Sequence, residues 1–122
     1  MQLNNLITYL NTKLDITSIV SNRIFWWVPD TEQTLDYMTL NIITETEPTK
    51  VEKRNRIEFR YIWGDTNTSY STLQTLDTAV LNALRDYTAQ WVYKTVISNF
   101  ANWYDNKQRK VMIRDLFLYR TT

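Results

Sequence analysis

The sequence predicts an α+β fold: an antiparallel or mixed sheet of about five strands with two helices packed on it, in the order α-β-β-β-α-β-β, within a single domain spanning residues 1–122. Three observations carry this prediction. Two stretches, residues 3–14 and 73–87, place leucines at helical spacing. Residues 56–63 alternate apolar and charged side chains, as an antiparallel strand does when one face lies on a core. The last third is a β-branched and aromatic run broken by one polar turn, which reads as a long β-hairpin. A chain of 122 residues is one domain's worth and buries roughly two thirds of the surface its unfolded form exposes. One hydrophobic core is therefore possible without metal or disulfide.

The first helix is predicted from Leu3, Leu6, Ile7, Leu10 and Leu14, which form one stripe, with Asn4, Asn5, Thr8 and Asn11 opposite. Residues 15–22 read as a turn region, and residues 23–29 as a short strand that Pro29 ends. A polar loop follows over 30–36. A second strand runs from 37 to 46, with Met38, Leu40 and Ile42 on one face and Thr39, Asn41 and Ile43 on the other. The charged stretch 45–54, containing Pro48, reads as a solvated connection. The third strand, 56–63, sets Ile57, Phe59, Tyr61 and Trp63 against Arg56, Glu58 and Arg60, and Gly64-Asp65 breaks it. Residues 65–71 offer helix N-caps, and Leu73, Leu76, Val80, Leu84 and Tyr87 mark the second helix, ending near 86–89. The hairpin comprises strands 90–103 and 109–120 around a turn at 105–108. Local antiparallel pairing suits both the central meander and this hairpin.

Composition narrows function by exclusion. There is no histidine and no cysteine, so neither a Ser-His-Asp nor a Cys-His arrangement can be built, and no zinc site of the usual nitrogen or sulfur type is available. The only glycine, Gly64, stands where average usage gives about eight or nine, which removes every glycine-rich phosphate loop. The candidate carboxylates Asp36, Glu58, Asp65, Asp77, Asp86 and Asp115 form no catalytic motif. We expect no enzyme, no cofactor and no metal. A net charge of +1, from 14 basic and 13 acidic side chains, steers no nucleic acid toward the chain. No apolar stretch approaches the ~20 residues of a membrane helix, and Met1-Gln2-Leu3-Asn4-Asn5 lacks the basic start of a signal peptide, so a soluble protein made in a cytoplasm is expected, with no membrane partner.

What remains points to protein contacts. Strands of twelve to fourteen residues span about 40–45 Å, longer than the ~35 Å breadth of a domain this size. The hairpin is also apolar on both faces: Val111, Ile113, Phe117 and Tyr119 lie opposite Met112, Leu116 and Leu118. Either helices cover both sides, or the hairpin curls over its own core, or a partner protein covers one side. Asp115, in mid-strand beside Arg114, reads as a paired strand charge or as an ion pair across a subunit boundary. Trp26 and Trp27 are adjacent, so one indole can enter the core while the other meets a loop or a partner. Lys50, Lys53, Arg54, Arg56 and Arg60 are interleaved with Glu45, Glu47, Glu52 and Glu58, as on a solvated hairpin or a subunit contact. The candidate interface residues are therefore Trp27, Arg56, Glu58, Arg60, Trp91, Tyr93, Arg114, Asp115 and Tyr119.

The succession of a short N-terminal helix, a strand opening Arg23-Ile24-Phe25 and closing on Pro29, a strand from Tyr37, the strand from Arg56 to Trp63, Gly64-Asp65, the helical run from Ser71 to Val80 and a hairpin with Arg114-Asp115 near its end resembles the tail terminator and tail-completion (neck) proteins of long-tailed bacteriophages. The resemblance covers nearly the whole chain and rests on element order, length and residue style. It implies a virion protein, assembled in a host cytoplasm, that forms a homo-oligomeric ring, commonly a hexamer, at the head-proximal end of the tail tube. Such a ring ends tube polymerisation and contacts tube and head-connector proteins, with transient non-specific contact to DNA in the lumen. It implies no catalytic residues. A head-closure or connector-adaptor subunit is the neighbouring alternative. A nucleic-acid module using Arg54, Arg56 and Arg60 is an alternative of another class, although Tyr61 and Trp63 fall on the opposite strand face.

Overall fold

The computed structural model describes residues 5–29, 31–64, 70–87, 92–104 and 109–121, the side chains of 93, 94 and 98–104 excepted. Its elements are helices α1 (Leu6–Leu10) and α2 (Leu14–Val20), strands β1 (Ile24–Trp26), β2 (Tyr37–Thr49) and β3 (Glu52–Ile62), helix α3 (Tyr70–Arg85), and strands β4 (Val92–Tyr104) and β5 (Lys110–Thr121). The strands form one mixed sheet in the order β1-β2-β3-β5-β4. The fold is α+β, as the sequence predicts. β2–β3, β3–β5 and β4–β5 are antiparallel.

The core lies on one sheet face. Leu6, Leu10, Ile16 and Val20 from α1 and α2, and Leu73, Leu76, Val80, Ala83 and Leu84 from α3, pack on Met38, Leu40, Ile57, Phe59, Tyr61, Met112, Leu116 and Leu118. Every one is buried, and each large side chain among them contributes roughly 1.5–3 kcal/mol. The alternation in β3 follows directly: Ile57, Phe59 and Tyr61 are buried, whereas Arg56, Glu58 and Arg60 are half-buried on the reverse face.

Two polar ties cross this core. Asp77 of α3 accepts from Tyr61 Oη at 3.0 Å and from Arg114 Nε and Nη2 at 3.1 and 2.7 Å, so one carboxylate joins the helix to β3 and β5. Burial, with the Asp77 charge and hydrogen bond beside it, raises the Tyr61 phenol well above its ordinary value. Toward the far end of the sheet, Arg120 donates to Asn55 Oδ1 at 2.9 Å and to Glu45 Oε1 at 2.7 Å. The single glycine has a local cause. A Cβ on Gly64 would lie 2.5–2.7 Å from the backbone of Thr34, Leu35 and Asp36, and its N–H donates to Asp36 Oδ1 at 2.6 Å. The loop before β2 thus crosses the end of β3 where no side chain fits.

The structure departs from the sequence prediction in several places. There are three helices among the described residues, not two: the predicted first helix stops at Leu10, and the predicted turn over 15–22 contains α2. The amides of Thr12 and Lys13 reach back only three residues, to Tyr9 and Leu10, and Lys13 is extended. The new helix directs Ile16 and Val20 inward and leaves Leu14 78% exposed, outside the stripe assigned to it. β1 pairs with β2 in parallel rather than as part of an antiparallel meander. The charged stretch 45–54 is not a loop, because β2 and β3 continue through it and turn at Lys50-Val51. Its glutamates and basic residues pair along the ribbon, with Lys53 Nζ 3.5 Å from Glu45 and 3.8 Å from Glu47. The hairpin turn at 105–108 and most of the N-cap region 65–71 lie outside the described residues.

Gly64→Ala should lose at least ~2–3 kcal/mol in urea unfolding, since the obstructing atoms are backbone. Tyr61→Phe should cost ~1 kcal/mol at neutral pH. The phenol also sets an alkaline limit. Its contribution is complete below about pH 10 and declines as pH rises further, because the unfolded chain ionises there while the buried phenol does not. The urea midpoint of Tyr61→Phe should therefore fall less steeply above about pH 10 than that of the parent.

Candidate subunit-contact face

The reverse face of the sheet carries none of the described helices. Strand period places Phe25 of β1, Tyr37, Thr39 and Asn41 of β2, the even residues of β3, the odd residues of β5 and Val96 of β4 on this side. A small second cluster forms here from Tyr37, Ile62 and Val111, with Phe25 and Ile113 packed against it. The Phe25 and Tyr37 rings meet edge to face at 6.1 Å.

Charge occupies the middle of the face. Register sets Glu58 directly opposite Asp115, an unfavourable pairing of like charges. Two arginines answer it. Arg56 Nη2 lies 2.6 Å from Asp115 Oδ2, and Arg60 Nε pairs with Glu58. The acids sit low, with side chains 9% and 15% exposed, while Arg56 and Arg60 are 39% and 42% exposed. The face thus displays guanidinium groups over recessed carboxylates. Asp115 Oδ1 is buried without a hydrogen-bond partner. Next to this group, the Arg54 guanidinium stacks 4.9 Å from the Phe117 ring.

Trp27 borders the same face. It has φ 61°, in the left-handed region that a bulky residue rarely adopts, and is 68% exposed. With Val28, Thr39, Asn41, Glu58 and Arg60 it lines a depression of about 190 Å³. The expectation that one of the paired indoles enters the core is not met, for Trp26 is itself 37% exposed.

Of the candidate residues, the fold gathers Trp27, Arg56, Glu58, Arg60, Asp115 and the half-buried Tyr119 onto this one face. Arg114 points the other way, to Asp77. Trp91 and the Tyr93 side chain lie outside the described residues. Sequence reasoning left Arg54 without Phe117 and Glu58 without Asp115, because cross-strand neighbours appear only once register is known. Asp77 and Asp36, considered there as catalytic carboxylates, serve structure through Arg114, Tyr61 and Gly64. Among the described residues no group of three or more acidic side chains is placed to hold a metal, and no helix is long and apolar enough to cross a membrane. A groove of about 510 Å³ lies between α2 and α3, lined mostly by polar side chains such as Ser18, Ser71, Gln74 and Thr78.

The sequence matches no family model and no curated protein. The fold is similar to that of a chain in the virion of a native gene transfer agent particle, with a TM-score of 0.75 and 11% identity over 96% of this chain and 92% of that one. A second solved chain matches over 100% of this sequence and 97% of its own, at 14% identity and a TM-score of 0.53. The type 4 fimbrial biogenesis protein PilO from Pseudomonas aeruginosa matches at a TM-score of 0.41 and 13% identity, over 68% of this chain and 54% of its own.

The two buried acids should respond differently to neutralisation. Asp77→Asn should cost ~3 kcal/mol or more in urea unfolding, because it strands a mostly buried arginine. Asp115→Asn should stay within ~1 kcal/mol, since half-exposed Arg56 returns to water and the opposition to Glu58 is relieved.

Proposed function

We propose that this chain is a structural protein of a phage-like virion, acting as a tail terminator or tail-completion subunit. It forms a ring, a hexamer in this reading, at the head-proximal end of the tail tube, ends tube polymerisation and joins the tail to the head connector. The single domain is the repeating unit. The observation that carries the reading is the one-sided sheet: three helices cover one face, and the other bears an aromatic cluster and an arginine–carboxylate group with no described element over it. A neighbour in a ring is a natural cover for such a face. The fold's similarity to a chain of a gene transfer agent virion supports the same class of role. So does the residue inventory, which favours binding over catalysis. Trp27, Arg56, Glu58, Arg60, Asp115 and Tyr119 are the proposed contact residues.

Nucleic-acid binding is a weaker reading of the same arginines. Arg54, Arg56 and Arg60 each already have an aromatic or anionic partner within the chain. Contact with DNA in the lumen is then transient and non-specific.

Native mass spectrometry and light scattering should show a closed oligomer, in solution or on added tail tubes. Strict monomers under both conditions would overturn the proposal. Fluorescence anisotropy with a duplex should show only weak binding at low salt. Tight binding whose logarithm falls steeply and linearly with the logarithm of salt concentration would favour the nucleic-acid reading instead.

A further inference from the structure

Among the described residues the sheet ends in two strand edges that no further strand covers. At one end β1 covers only a short part of β2, pairing Ile24, Phe25 and Trp26 with Met38, Thr39 and Leu40. The last link is the Trp27 N–H, which donates to Leu40 O at 2.9 Å. There the left-handed Trp27 turns the chain away, and from Asn41 onward the outer edge of β2 carries no strand among the described residues. The place vacated is a notch of about 300 Å³ lined by Trp26, Trp27, Leu40, Asn41 and Ile42. At the other end β4, 13 residues long, pairs among the described residues with β5 alone.

A long open edge is a template for another strand, and proteins usually blunt or cover it. The two edges here lie at opposite ends of one sheet, so they cannot satisfy each other within a chain. Between copies they can. We propose that β4 of one copy adds to the open edge of β2 of the next, seated in the notch beside Trp26 and Trp27. The occupant is a second copy because this chain itself supplies the missing strand. Joining unlike edges is a head-to-tail contact, the kind that generates a ring when its rotation closes. Main-chain hydrogen bonds supply the pairing and the exposed indoles the anchor. The usable edge is short: it runs from Asn41 past the bulge between Ile42 and Thr44 and ends before Pro48, which has no N–H to offer. This inference rests on the ring reading above and names the contact that builds it.

The chain has no cysteine, so introduced thiols report only on themselves. Thr44→Cys on β2 and Val96→Cys on β4 both lie on the open face. With a short bismaleimide linker, the double variant should give a covalent ladder ending at the closed oligomer, and a mixture of the two single variants should give dimers only. Either single variant alone should give none. Trp27→Ala should weaken assembly about thirtyfold while leaving the melting curve of the subunit unchanged, as for an exposed interface anchor. Dimers from Val96→Cys alone, or no cross-link in oligomers that native mass spectrometry shows to be closed, overturn this contact and leave the ring reading standing. A chain that stays monomeric, alone and on tail tubes, overturns both.

Discussion

The structure is organised by unequal coverage of a sheet. Five strands present two faces, and α1, α2 and α3 lie on one of them. An antiparallel sheet can leave one face in water, provided that face is polar. Here it is only partly so. Tyr37, Ile62 and Val111 bury one another, Phe117 shelters beneath Arg54, and the acids lie beneath their arginines. The open face is thus stabilised by its own side chains. That suffices for a folded chain whose described helices all lie on the other side.

Two carboxylates show how the faces differ. Asp77 lies between helix and sheet with Tyr61 and Arg114 on its oxygens, and it fixes the position of α3. Its partners are mostly buried, so its removal leaves a charge without compensation. Asp115 lies on the open face with one oxygen on Arg56 and the other unpaired, opposite a glutamate. A stability argument does not account for that arrangement, since like charges directly opposite one another across a ladder are destabilising. Neighbouring residues Arg114 and Asp115 therefore belong to different parts of the molecule, one to the rigid platform and one to the surface it displays.

The failures of sequence reasoning are instructive in the same terms. The helical stripe through Leu14 was continuous in period, yet the chain turns after Leu10 and resumes with Ile16 and Val20 inward. The β-branched and polar residues from Asp15 to Ser18 have modest helix propensity, and packing on the core overrides it. The acidic and basic run from Glu45 to Arg54 looked solvated because no apolar stripe marks it. Its strand character comes from charge pairing across the ribbon and from Arg120 lying against Asn55, an interaction between residues 65 apart in sequence.

The sequence by itself determined the class of fold, the faces of residues 56–62 in β3 and of the apolar residues in β5, and the absence of histidine and cysteine chemistry. These follow from period and inventory, which are local properties. Tertiary structure alone decided that β1 runs parallel to β2, that Glu58 faces Asp115, that Gly64 must be glycine because another segment's backbone crosses it, and that the described helices all lie on one sheet face. The physical reason is that register, crossing and coverage depend on contacts between segments distant in sequence, and no local period encodes which segments those will be.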